Sequence, residues 1–250
     1  SILPDELYDS PICSAAGNGS LRVLKCLLDT GETISHGTLE IALTEAAHGG
    51  YLEAMQILFP LRKWSIEELN AQWSGSILPE QRELCLTYGA KPAAEDMIIA
   101  LSLAVEHGNL EMAQYLLSKG VDPSAVREDG AYSLEFAVQY GFYDIAELLI
   151  EHGADVNYSN EANANCSLLH TAAMSSTNLT RLLVEHGAQV NVQTTQGDTP
   201  LMYAVESGKP ATVAVLLQAG ADASISNKDG KTARELAEKS RNEEMMALFS

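Results

Sequence analysis

Small residues, leucine pairs and glycines return along this chain at intervals of about 33 residues, a period longer than any ordinary single helix or strand. The clearest copy reads GDTPLMYAVESGKPATVAVLLQAGADAS, with Gly197, Thr199, Pro200, Leu201, Ala204, Gly208, Leu216, Leu217, Gly220, Ala221 and Asp222 at fixed offsets. Thr199 is placed to cap a helix that opens on Pro200, where the missing backbone donor costs nothing. Leu201, Ala204 and Val205 make one apolar face of that short helix, and Gly208 ends it. A longer second helix carries Val213, Leu216 and Leu217, with Gly220 as the left-handed residue that closes it. Neither helix can bury its stripe alone, so each unit needs neighbours for a core.

The same frame runs along the chain. Closing glycines recur as Gly31, Gly89, Gly120, Gly153, Gly187 and Gly220, each preceded by a leucine-type residue: Leu28, Leu86, Leu117, Ile150, Val184 and Leu217. The small residue of the first helix recurs as Ala15, Ala46, Ala104, Ala137, Ala172, Ala204 and Ala237. Passages such as LSLAVEHGNLEMAQYLLSKGVDP, SLEFAVQYGFYDIAELLIEHGADVN and SLLHTAAMSSTNLTRLLVEHGAQVN carry a close likeness, and SPICSAAGNGSLRVLKCLLDTG and LTEAAHGGYLEAMQIL a looser one. On these passages the chain resembles an ankyrin-repeat protein. The resemblance implies an all-α solenoid of about eight helix-turn-helix units with β-turn fingers, forming a single domain over residues 1–250. The approximate units are 5–35, 36–62, 63–92, 93–125, 126–159, 160–192, 193–225 and a C-terminal cap, 226–250.

Three stretches depart from the frame. Residues 60–90 are degenerate, with Trp73 where the small residue belongs, and read as helices over 66–72 and 79–87. The unit of Ala172 replaces its mid-unit glycine by MSSTN, is one residue short, and follows a long finger, NYSNEANANCS. In the last segment Lys239, Arg241, Asn242, Glu243 and Glu244 put polar side chains where another unit would stack, as a cap does.

A hydrophobic share of 46% suits a packed helical array, and no apolar run approaches the roughly 20 residues that cross a bilayer. The opening SILPDELYDSP has neither a basic leader nor an apolar signal core. Cys13, Cys26, Cys85 and Cys166 lie in separate units without CxxC spacing; Cys26 and Cys85 are expected on buried leucine-type faces, and Cys166 near a finger base. Reduced thiols point to the cytoplasm, or to a host cytosol if the protein is a secreted effector. The net charge of -19 disfavours nucleic acid and anionic membranes, and steers in a basic protein partner; the bland alternative is that it only keeps the chain soluble. Its excess peaks in residues 121–187, with 10 acidic against 2 basic side chains, compared with 8 against 6 in residues 188–250.

The six histidines are the first place to look for chemistry. His170 holds the position where the resemblance implies an imidazole bond to a neighbouring finger backbone. His152 and His186 precede closing glycines as solvent-facing caps, whereas His107 and His48 fall where the resemblance places the concave side. No HExxH, phosphate loop or Cys/His ligand cluster occurs, so the reading is non-enzymatic, with no metal and no cofactor. The resemblance makes Asn157 and Asn191 candidates for asparaginyl hydroxylation; the plainer reading is that their amides stabilise the finger turns.

Partner-binding positions follow from the resemblance, which puts variable residues at the finger tips and just after the small pair. They are Glu128, Asp129, Gln139 and Tyr140; Asn163, Met174 and Cys166; Gln196, Asp198 and Glu206; and Lys228, with Glu106 and His107 upstream. Tyr132 replaces the usual threonine and is expected to be partly exposed, so that Tyr132 and Tyr140 anchor a partner, Tyr158 adds a contact, and Glu128, Asp129 and Glu206 select for basic charge. The expected protein is a monomeric protein-binding module, an adaptor or secreted effector. The alternatives are an immunity protein masking a basic toxin, and an enzyme with its site on an irregular unit.

Overall fold

The computed structural model describes residues 10–31, 33–160, 164–240 and 242–249. Its contacts divide the chain into two compact units, residues 1–100 and 101–250.

In the first unit, helices come in pairs: α1 (Pro11–Gly17) with α2 (Leu21–Leu28), α3 (His36–His48) with α4 (Leu52–Leu58), and α5 (Ile66–Gly75) with α6 (Pro79–Thr87). The unit ends within α7 (Ala94–Glu106). α3 packs between α1 and α5, and α4 between α2 and α6, so that the two helices of each pair build two parallel stacks. Leu24, Leu43, Met55, Leu58, Phe59 and Trp73 are the large apolar residues sealed inside. The sequence places α6 correctly, but α5 runs three residues beyond the expected 66–72. Trp73 explains the extension. Its ring is buried in the core, and the extra turn carries it inward beneath the Arg82 guanidinium, 4.2 Å from the ring centroid. Arg82 Nε donates to the Ser76 carbonyl at 3.1 Å, which ties α6 to the end of α5. Cys85 is buried and its thiol is pushed up to about 11 by desolvation, whereas Cys26 is exposed, contrary to expectation. On α2 only Leu24 is fully buried, and Cys26 lies two residues on, about 200° around the helix.

Ser65 and Glu68 form a capping box at the start of α5: the Glu68 N–H donates to Ser65 Oγ at 3.2 Å, and the Ser65 N–H to Glu68 Oε2 at 2.8 Å. Glu68 also accepts from the two terminal guanidinium nitrogens of Arg62, at 2.8 and 3.3 Å, and lies 2.8 Å from His36 Nε2. The Arg62 bonds, aided by the Ser65 amide and His36, outweigh burial and hold this carboxyl at about 2, below its ordinary 4.5. A carboxyl depressed on folding stabilises the fold fully above its unfolded value and loses that contribution as pH falls toward the folded one. We therefore expect Glu68→Gln to lower stability at pH 7 and to flatten the acid limb of the stability curve between pH 4.5 and about 2. Parallel urea titrations from pH 2 to 7 check this, and a variant whose acid limb matches the parent's would overturn it.

The second unit continues the pairing: α8 (Leu110–Ser118) follows α7, then α9 (Ser133–Tyr140) pairs with α10 (Tyr143–Glu151), α11 (Leu168–Ser175) with α12 (Thr177–Glu185), α13 (Pro200–Glu206) with α14 (Pro210–Gln218), and α15 (Ala233–Ser240) with α16 (Glu243–Ala247). First helices stack as α9, α11, α13 and α15; second helices as α8, α10, α12, α14 and α16. Thr199 Oγ1 accepts from the Met202 N–H at 3.3 Å, the expected cap. The short unit solves its missing glycine differently. Ser176, extended at φ −148°, ends α11 and starts α12 by itself, with its Oγ accepting from the Leu179 N–H, so no left-handed residue is needed and the loop is shorter.

The fingers are hairpins between pairs. Val126 bridges Tyr132, Ser226 bridges Thr232, and the long finger forms a two-residue antiparallel ladder of β1 (Ser159–Asn160) and β2 (Cys166–Ser167). Successive turns are stitched by one side chain each. Ser124 Oγ donates to the Gly153 carbonyl and accepts from the Asp155 N–H; Asn157 does the same toward Gly187 and Gln189, and Asn191 toward Gly220 and Asp222. The two asparagine amides therefore join one unit to the next rather than closing their own turn. At Gly197, φ is +82° and an added Cβ would come 3.1 Å from Asn227 Cα, so a side chain there would strain the torsion and press on the neighbouring finger backbone.

Candidate functional site

Within residues 101–250 the stacked first helices present a face built from three rows of side chains. The row just before the small residue holds Leu103, Phe136, Thr171, Tyr203 and Leu236, with Leu103 exposed and the others half-buried. The positions two and three residues after the small residue hold Glu106 and His107, Gln139 and Tyr140, Met174 and Ser175, and Glu206 and Ser207, all exposed. Tyr140 and Met174 show about half of their surface, 49% and 50%. Tyr140 is not adrift: its ring stacks parallel to Phe136 at 6.2 Å and leans on Phe142 at 5.9 Å. Neighbouring first helices are joined by polar contacts, including the Ser102 and Ser133 hydroxyls at 3.3 Å and Lys209 Nζ donating to the Ser175 carbonyl at 2.7 Å.

Carboxylates lie close to part of this band. The Tyr203 phenol is raised by burial, and further by Cys166, Asp198 and Glu206, which gather near it. Glu135 acts in the same direction on Tyr158 and on the Cys166 thiol, each raised chiefly by burial, so it faces the base of the long finger.

His170 is sealed beneath this face. Its Nδ1 accepts from the Ser167 N–H at 3.1 Å and lies 2.8 Å from Ser167 Oγ, which leaves Nε2–H to donate to the Asp198 carbonyl at 3.0 Å. A proton on Nδ1 would oppose the Ser167 amide. Burial also disfavours the charged ring, and the histidine's pKa falls below its ordinary value despite the Asp198 contacts. It serves the finger backbone, as expected. His107, His152 and His186 each direct Nδ1 to the carbonyl four residues back and remain exposed.

The structure keeps some expected contact residues and removes others. Tyr132 is 1% exposed, not partly exposed: its hydroxyl donates to the Asp155 carbonyl at 3.0 Å, and burial pushes the phenol up to about 12. It anchors the fold and offers no surface to a partner. Tyr158 is half-buried, its ring centroid 4.3 Å from that of Tyr132 and its hydroxyl bound to the Gly130 carbonyl, so it belongs to the same finger joint. Glu128 is exposed; Asp129 is exposed too but accepts from Arg127 at 2.7 Å and from the Ala131 N–H, so its charge is matched within its own turn. Gln196 and Lys228 are exposed at adjacent finger tips and joined by a backbone bond, while Asp198 is half-buried and accepts from Asn227 Nδ2 at 2.7 Å. Asn163 lies outside the described residues. Sequence reasoning missed Leu103, Phe136 and Tyr203, because an apolar residue beside the small pair at helical spacing reads as core.

Two grooves open on the described residues. One of about 340 Å³ lies beside the long finger between Asn157, Ser167, Leu169 and Gln189, and one of about 510 Å³ lies beside α1 between Pro11, Leu27, Ile34 and Thr38. Neither is lined by a titratable side chain, so neither offers an acid, a base or an activated nucleophile. His36, Glu40 and Glu68 bring potential ligand atoms within 4.8 Å of one another, but the Arg62 guanidinium already supplies the cation at Glu68. Among the described residues no helix is long and apolar enough to cross a membrane.

The family described as ankyrin repeats (3 copies) matches residues 82–160 and 157–229, more than half of the chain. The chain is also similar to the ankyrin repeat and KH domain-containing protein mask-1 of Caenorhabditis elegans, at 28% identity over 161 residues. That alignment takes in 49% of this chain and spans only 6% of the length of the relative.

Proposed function

Because the chain belongs to the ankyrin-repeat family, whose members are generally protein–protein interaction modules, we propose that the first-helix face of residues 101–250 binds a basic segment of a protein partner. The observation that carries this reading is an exposed band of Leu103, Tyr140 and Met174 bordered by the exposed carboxylates Glu106 and Glu206. Large rigid anchors in an apolar band supply affinity, while a one-signed rim supplies steering and selectivity. The finger tips Glu128, Gln196 and Lys228 flank the partner, and the domain acts as a monomer. An adaptor and an inhibitor of a basic enzyme would use the same face; loss of an activity by the captured partner distinguishes the second. The free thiols of Cys26, Cys85 and Cys166 accord with a reducing compartment.

Affinity capture from the native cell tests the reading. Wild-type protein is compared with Glu106→Lys/Glu206→Lys and with a control reversed at Asp144 and Glu147, on second helix α10. The first variant should lose basic partners that the control retains, and wild-type capture should weaken as salt is raised from 0.05 to 0.3 M. Equal capture by all three proteins would remove this face from the site.

A further inference from the structure

The face described above has a geometry that restricts what can lie on it. Each first helix from α7 to α13 contributes at least one apolar side chain to this face, Leu103, Phe136 with Tyr140, Met174 and Tyr203, and helices in direct contact stand about 8–10 Å apart. A segment crossing them must therefore offer an anchor every 8–10 Å on one side. A β-extended chain covers that distance in about three residues, an odd number, which turns successive side chains to opposite faces. An α-helix covers about 10.5 Å in seven residues and turns its anchors by only about 20° in doing so.

The band is also wide. Phe136 and Tyr140 are one helical turn apart on α9, and on α11 Thr171 takes the first position while Met174 supplies the apolar side chain one turn on. Two rows separated by about 5–6 Å match the paired apolar positions of a heptad; an extended segment offers a single row. Carboxylates bound the band: Glu135 precedes the first row on α9, and Glu106 and Glu206 take the second-row position on α7 and α13, on either side of Tyr140 and Met174. Of the nearby cations, Arg127 and Lys231 are paired with Asp129 and Asp229, and Lys209 is held on a carbonyl.

Resting on the function proposed above, we infer that the segment recognised is a basic amphipathic α-helix, with apolar residues repeating every seven positions. It lies across the first helices from Leu103 to Tyr203. Three steps between these helices amount to roughly 21 residues of partner helix.

Three synthetic 22-residue peptides of equal charge test this by fluorescence anisotropy at 0.15 M salt. One carries leucines at heptad positions among lysines and arginines. The second is the same peptide with a central proline, and the third is a proline-rich extended peptide with leucine at every third position. The heptad peptide should bind at least tenfold more tightly than the other two and gain helical circular dichroism on binding. The exposed pair Tyr140→Ser/Met174→Ser should lose tenfold in affinity for it, with the protein's own helix content unchanged. Equal affinity for the proline-broken peptide, tightest binding of the extended one, or indifference to the serine pair would each overturn the inference. If the three bind alike and all fail on Glu106→Lys/Glu206→Lys, the acidic face survives and only the helix is overturned. If none binds, this inference falls, while the capture experiment separately decides the fate of the acidic face.

Discussion

Replacing Trp73 by alanine should destabilise the protein by about 3–5 kcal/mol, the usual loss for a large aromatic deleted from a core. The indole is 1% exposed, and the residue opposite its ring is Arg82, itself only 7% exposed. Deletion therefore removes dispersion contacts and the ring face under a guanidinium in one step. Trp73→Phe keeps a ring beneath Arg82 and should lose less than half as much. Urea unfolding followed by the fluorescence of Trp64, the only other tryptophan, reports both variants without relying on the deleted residue. A loss below about 1 kcal/mol for the alanine variant would mean that this ring does not fill the space assigned to it.

Trp73 also shows where sequence and structure part. The frame of closing glycines and small residues is legible because every unit needs the same left-handed turn and the same close helix approach; the caps at Thr199 and the ends of α6 follow from it. In residues 60–90 the frame weakens, since a tryptophan where alanine belongs leaves two readings: an expelled side chain or a rebuilt core. Only the contacts with Arg82, the Gln72 bond to Thr44 and the Gln81 bond to the Ala46 carbonyl show that the core was rebuilt with larger and more polar parts.

The candidate site was less legible for a related reason. A repeat frame gives a residue's position but not what it touches. Tyr132 stands at a capping position and looked available, yet its hydroxyl reaches the next turn at Asp155 and the ring is lost to the surface. Phe136 and Tyr203 looked like core and are half open. The residues after the small pair, expected from the resemblance as variable positions, are exposed in the structure because they lie at the end of a short first helix.

Leu216→Ala should cost about 2–5 kcal/mol and Leu217→Ala less than about 2, an order the repeat frame alone does not give. Both leucines sit in the phrase that closes every unit, and from spacing Leu217 is the better core candidate because it stands three residues before the closing Gly220 in register with Leu117 and Ile150. The structure reverses this. Leu216 is fully buried on α14, a helix that packs against α12, α13 and α16, and its carbonyl takes the Ala221 N–H at 2.9 Å; Leu217 is only half-buried. A cavity at Leu216 would be closed to water, and the helices packed on α14 cannot collapse into it without leaving their other neighbours. At Leu217, already half open to solvent, water relieves much of the loss. Urea midpoints of the two variants decide the matter under identical conditions. Equal losses, or a larger one at Leu217, would show that α14 is rotated from the orientation described, and with it the face that its partner helix α13 turns outward at Tyr203 and Glu206.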